Sequence, residues 1–170
     1  MKHEKLRFLA LTGMLTALTT VATLVIRIPT PTKGYINLGD TIVNLSAWIL
    51  GGGYGAAAAG IGSALADLIS GYAIFVPATL IIKAIMAFAA FQIFTALSKK
   101  WHELPSRIFA AIVSEIIMIL GYAIFEGFLY GSLTTAILSV SGNLVQGIFG
   151  VGASVALYEL IIKRVPKFSK

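Results

Sequence analysis

The chain has 170 residues, of which 58 % are hydrophobic and only 12 % charged, and its mean hydropathy is +0.91. Soluble domains carry about 25 % charged residues, so this composition excludes an ordinary soluble globule and a disordered chain and leaves a membrane protein of several crossings. At about 20 residues per crossing, no length remains for a soluble catalytic domain. Zero cysteines exclude disulfides and thiolate-held metals. The net charge of +6 has to be located before it says anything about partners.

Six candidate spans follow in chain order. The first, Leu6 to Ile28, is broken by Pro29 and Pro31. The second, Leu38 to Leu50, ends at Gly51-Gly52-Gly53. Its thirteen residues reach only about 20 Å against a hydrocarbon core of about 30 Å, so it is a short or partial crossing shielded by its neighbours. The third, Tyr54 to Ile69, closes at Ser70-Gly71. The fourth, Phe75 to Leu97, carries Pro77 in its first turn, where the missing N–H costs little. The fifth runs from Ile108 to Leu129 and the sixth from Ile137 to Ile162. The expected fold is an all-α membrane protein, a six-transmembrane-helix bundle with a short second helix, forming a single domain over residues 1–170. The first apolar run is too long for a cleavable signal peptide.

Six crossings sort the cations. Lys2, Lys5 and Arg7 precede the first span, Lys99, Lys100 and Arg107 lie between the fourth and fifth, and Lys163, Arg164, Lys167 and Lys170 follow the sixth. The other side holds only Arg27 and Lys33, and Lys83 is inside a span. By the positive-inside pattern both termini are cytoplasmic. The basic segments then need no nucleic acid to explain them.

The third span is built of small residues from Gly55 to Ala66, which let helix backbones approach closely; it is expected deep in the bundle. Gly55 and Gly60 have the spacing of a phosphate loop, but Ile61-Gly62 stands where Lys-Ser/Thr is required, so the chain has no ATPase motif. Ala10, Gly13 and Ala17 on the first span offer either internal packing or a docking face for another membrane protein.

Ionisable groups inside a membrane are costly unless paired or wetted and point to function. Asp40, Asp67, Lys83 and Glu126 fall in the outer half of the expected bundle, with Asn143 and Gln146. Tyr35, Asn37, Tyr72, Phe75, Tyr122, Phe125 and Tyr130 lie at a similar level. Aromatic walls with a few placed polar groups describe a small-molecule pocket, suited to a flat, neutral or weakly charged heterocycle. Each group also has a structural alternative. Asp40 fits an N-cap, Asp67 and Lys83 fit an ion pair, and the tyrosines fit an interfacial belt. Glu115, in the inner half, is open between facing the first span, the third span or a partner protein. No catalytic motif and no metal-ligand cluster is present.

Three stretches together resemble the substrate-binding S components of energy-coupling factor (ECF) vitamin transporters. They are Tyr35-Ile36-Asn37-Leu38-Gly39-Asp40, Leu50-Gly51-Gly52-Gly53-Tyr54-Gly55 and Gly60-Ile61-Gly62-Ser63-Ala64-Leu65-Ala66-Asp67. Gly71-Tyr72 and the run from Pro77 to Lys83 fit the same pattern. Within the family the chain looks most like the hydroxymethylpyrimidine and pyridoxine type, close to the riboflavin branch. The resemblance implies an outward pocket capped by the loop after helix one and high-affinity capture of a vitamin or precursor. It also implies partnership with a transmembrane coupling protein (T component) and two ATPase subunits (A components), and toppling to release the cargo inside. No cofactor is held by this chain; ATP is used by the partners. The family docks through Ala-xxx-Ala in helix one, and here that position reads Gly13-xxx-Ala17.

Against this stand a solitary ion-coupled transporter and an intramembrane enzyme. Carboxylates at Asp67 and Glu126 favour a neutral or cationic heterocycle such as pyridoxine or hydroxymethylpyrimidine, with riboflavin and thiamine also open. Pantothenate, an anion, would instead call on Lys83, Arg27 and Lys33.

Overall fold

The computed structural model describes residues 2–30 and 34–165, with side chains described from Glu4 onward. Six helices form the body: α1 (Lys2–Val25), α2 (Gly39–Leu50), α3 (Gly52–Ile69), α4 (Val76–Leu97), α5 (Glu103–Tyr130) and α6 (Leu133–Leu160). A short 3-10 turn, Ile162–Arg164, follows α6. Pro77 stands in the first turn of α4, where a residue without an N–H is tolerated.

The expectation of an all-α chain needs one correction. The first helix stops at Val25 rather than Ile28, and the chain then makes a two-stranded antiparallel hairpin, β1 (Arg27–Pro29) and β2 (Tyr35–Asn37). Arg27 faces Asn37, Ile28 faces Ile36 and Pro29 faces Tyr35. The Thr30 N–H donates to the Gly34 carbonyl at 2.9 Å, closing the turn. Pro29 explains both departures. It bars the helical conformation at the residue before it, and it sits where the pairing ends, so its missing N–H costs little. Pro31 and Lys33 lie outside the described residues.

Four helical stretches are long and apolar enough to cross a membrane: Glu4–Val25, Val76–Leu97, Glu103–Tyr130 and Leu133–Arg164. Their outward faces carry Met14, Phe128, Leu133 and Ile148, each about two-thirds exposed or more. Large side chains uncovered on several faces are what lipid as solvent permits and water does not.

The short helix is the centre of the bundle. Eleven of the twelve α2 residues are buried, enclosed by α1, α3, α4 and α6. At 1.5 Å per residue α2 is about 18 Å long, against about 33 Å for α4. The small-residue helix α3 is a wall rather than the middle, because Ile61, Leu65 and Leu68 face outward. Its glycines set how closely its neighbours approach. A Cβ on Gly55 would lie 2.7 Å from the Ser46 carbonyl oxygen of α2. On Gly60 it would lie 2.7 Å from that of Leu80 in α4, and on Gly62 2.6 Å from that of Thr16 in α1.

The α1 face toward α3 is lined with threonines. Thr16, Thr19, Thr20 and Thr23 each donate to the carbonyl one turn back, which satisfies their hydroxyls without water. Thr20 also donates to the Gly62 carbonyl at 2.8 Å. Ala10, Gly13 and Ala17 are exposed, on the flank of α1 next to these threonines. A Cβ added at Gly13 would meet nothing within 4 Å, so internal packing is not what these three serve.

The start of α1 and the turn after α6 meet at one end of the bundle, where Glu4, Arg7 and Lys163 line a common cleft. Arg107 belongs to this end but is not a loop cation. It is buried within α5, paired with Glu159 and, at 3.7 Å, with Glu103, and its guanidinium lies 3.7 Å from the Tyr158 ring centroid.

Candidate functional site

At the other end, the hairpin folds over the helix ends and encloses an open cavity whose walls surround about 450 Å³, mouth included. Each element contributes by its register. β2 supplies Tyr35 and Asn37, and the last turn of α3 supplies Asp67. The α3–α4 connection supplies Tyr72, and its last residue, Phe75, leads into Thr79 on α4. Tyr122 and Glu126 stand one turn apart on α5, and Ser139, Asn143 and Gln146 share one face of α6. Thr30 and Gly34 complete the rim from the hairpin.

One side is aromatic. Tyr35 and Tyr72 have ring centroids 4.8 Å apart, Tyr72 and Phe75 6.2 Å, and Phe75 and Phe125 5.5 Å, all within the range of favourable ring pairs. Two carboxylates flank it. Asp67 accepts from the Tyr35 hydroxyl at 2.6 Å, and its other oxygen has no hydrogen-bond partner among the described residues. Burial, then the neighbouring Asp67 carboxylate, pushes the Tyr35 hydroxyl far above its ordinary pKa, so it stays a donor. Glu126 accepts from the Ser139 hydroxyl at 2.9 Å, and Asn143 donates to the same hydroxyl oxygen at 3.1 Å. Thr79 and Tyr122 join hydroxyls at 2.9 Å.

Eight of the ten residues expected at a pocket line this cavity: Tyr35, Asn37, Asp67, Tyr72, Tyr122, Glu126, Asn143 and Gln146. Asp40 and Lys83 do not. Both are buried beneath it, forming an ion pair with each other. Lys83 therefore pairs with Asp40 and not with Asp67, and its Nζ lies 5.4 Å from the Tyr122 ring centroid. Nor is Asp40 an N-cap. It is the second residue of α2, and its carboxylate accepts from Lys83 and from the Gln146 amide instead.

Glu115 lies beside this pair. It accepts from Asn44 of α2 at 3.0 Å, and Gly150 leaves it room, since a Cβ there would run into the Glu115 carboxyl and approach Asp40. Thr30, Gly34, Thr79 and Ser139 were not anticipated. Spacing could have found two of them, because Thr79 is one turn before Lys83 and Ser139 one turn before Asn143. Thr30 and Gly34 carry no such signal. Phe125 packs behind the wall against Phe75. Neither Arg27 nor Tyr130 lines the cavity. Among the described residues no three His, Asp or Glu side chains converge as a metal ion would need.

Comparison with known proteins fits this geometry. The family model described as "ECF-type riboflavin transporter, S component" matches residues 4–163. An uncharacterized protein in the gap 3′ region of Pyrococcus woesei is 33 % identical over 147 residues, covering 86 % of this chain and 95 % of the relative. A solved structure, described under "Structure and mechanism of the S component of a bacterial ECF transporter", superposes with a TM-score of 0.72. It is 20 % identical and covers 95 % of this chain and 99 % of its own, so the likeness is one of fold.

Proposed function

The chain belongs to the S components of ECF-type transporters, and on that premise we propose that it captures a flat, neutral or cationic heterocyclic vitamin or precursor in the cavity beneath the hairpin. The observation that carries this reading is the wall chemistry. Asp67 and Glu126 flank a run of aromatic rings, and among the described residues no Lys or Arg lines the cavity. Carboxylates accept from ring N–H, amino and hydroxyl groups, rings stack on rings, and an anion finds no counter-charge among the described wall residues. Of the cations that pantothenate would call on, Lys83 is committed to Asp40 and Arg27 does not line the cavity, while Lys33 lies outside the described residues.

Pyridoxine and hydroxymethylpyrimidine meet these requirements with one small ring each. Riboflavin is the second reading, favoured by the description of the matching family model. In either case the chain is a binding subunit. A T component and two A components supply the membrane coupling and the ATP hydrolysis, and Ala10, Gly13 and Ala17 form the face of α1 that meets them. The concentration of cations at the end where α1 begins and α6 finishes supports a cytoplasmic position for that end, with the cavity opening to the exterior.

The test is binding by the chain purified alone in detergent, titrated with pyridoxine, hydroxymethylpyrimidine, thiamine, riboflavin and pantothenate. Tight binding of one of the neutral or cationic members is the expected outcome. Binding of pantothenate alone would sink the wall-chemistry argument. Uptake by vesicles holding only this chain, driven by a proton or sodium gradient, would replace capture with ion-coupled transport.

A further inference from the structure

The cavity floor is made by two amides, and their orientation is set from below. Gln146 Oε1 accepts from the Asn37 backbone N–H at 2.8 Å and from Asn37 Nδ2 at 3.1 Å. Gln146 Nε2 donates to Asp40. Asn37 Oδ1 in turn accepts from the Gly39 N–H at 2.8 Å. A backbone N–H only donates and a carboxylate only accepts, so the Gln146 amide is fixed at both ends. Asp40 is paired at this depth with Lys83; both side chains are at least 97 % buried.

Gln146 Oε1 already accepts two bonds, so what Gln146 leaves for a ligand at the floor is its second N–H. The walls at Asp67 and Glu126 offer acceptors. The site is thus divided, with a donor below and acceptors at the sides.

We propose that Lys83 is a positioning residue: held against Asp40 beneath the cavity, it keeps Gln146 turned so that its amide offers the floor an N–H donor and no acceptor, and the pocket thereby selects ligands whose buried edge carries a hydrogen-bond acceptor, a ring nitrogen or carbonyl. This rests on the capture reading above and adds a selection rule to it. Lys83 acts through Asp40 and Gln146 and touches no ligand.

Two measurements test it on the full chain in detergent. In the first, the tightest ligand of the panel is compared on the unaltered chain with analogues in which each ring nitrogen or carbonyl in turn is replaced by C–H or CH₂. At least one replacement should weaken binding tenfold or more, and equal affinity for all of them overturns the Gln146 donor at the floor. In the second, Lys83→Met is combined with Asp40→Asn, so that no buried charge is left unpaired and an amide able to present either end faces Gln146. This double variant should fold, by its helical signal and elution. It should bind the ligand at least tenfold more weakly, with the ligand-to-analogue ratio reduced to about threefold or less, while Lys83→Arg alone should retain the ratio. An unchanged ratio in the folded double variant overturns the role of Lys83 and leaves capture standing. A double variant that fails to fold shows the pair to be a structural requirement and overturns a role confined to positioning. If the unaltered chain binds no member of the panel, the capture reading fails and takes this inference with it.

Discussion

Glu126 shows what one residue contributes at the cavity wall. Ser139 donates to one of its oxygens, which holds the carboxylate in one orientation. A hydrogen bond from a ligand to a charged group is worth about 1.5–3 kcal/mol, about tenfold to a hundredfold in affinity. Glu126→Gln should therefore weaken binding of the cognate ligand by at least about tenfold in a calorimetric titration, with little change in melting temperature. An undiminished affinity would remove Glu126 from the site. Asp40 sits on the other side of the distinction between binding and stability. Asp40→Ala leaves Lys83 buried without a counter-charge, and breaking a buried pair from one side costs about 3–5 kcal/mol. The expected outcome is a large fall in the thermal transition of the purified chain even without ligand. A melting temperature within a degree or two of the parent would contradict the pairing.

Among the elements, α3 depends most on the absence of side chains. Gly55, Gly60 and Gly62 each face the backbone of a different neighbour at a distance no Cβ tolerates. Gly62→Ala must push α1 and α3 apart or displace Thr19, and overpacking of this kind costs about 1–3 kcal/mol. Gly53, in the first turn of α3, would place a Cβ within 4 Å of nothing. Gly53→Ala should leave the melting temperature unchanged or slightly raised, since alanine favours a helix by up to about 1 kcal/mol. A thermal-shift comparison of the two variants checks the argument, and equal effects would refute it. The same close approach explains how a twelve-residue helix is tolerated in the middle of the bundle. Small-residue packing encloses α2 in protein, where its unpaired terminal groups need not face lipid.

For the whole molecule, the two ends have different tasks. One end holds the cavity. The other gathers the start of α1, the turn after α6 and a buried Arg107 caged by Trp48, Phe94 and Tyr158. Between them, Ala10, Gly13 and Ala17 lie on an exposed face of α1 that the chain itself leaves uncovered. If that face meets the T component, Gly13→Leu should leave ligand affinity within about twofold. It should reduce co-purification of co-expressed partner subunits by tenfold or more. Loss of ligand binding alongside assembly would show instead that Gly13 serves the fold.

Composition by itself determined the solvent: a chain this apolar with this little charge can cover its surface only with lipid. Most helix limits were also legible to within a few residues, because a helix in lipid must satisfy its own backbone and so leaves a long apolar run in the sequence. The hairpin was not legible. Its strands are three residues each, too short to show an alternation, and only their pairing across the turn creates them. Residue depth could also be read, since it follows from counting along a helix, and it brought eight of the ten expected residues to one cavity. Direction around the bundle could not. Counting put Asp40, Asp67 and Lys83 in the same outer half, and sequence spacing alone left Asp67 as the partner of Lys83. The tertiary structure turned Lys83 toward Asp40 and gave Asp67 to Tyr35. Which way a side chain points about the helix axis depends on how neighbouring helices pack, and that is decided by contacts between segments distant in the chain.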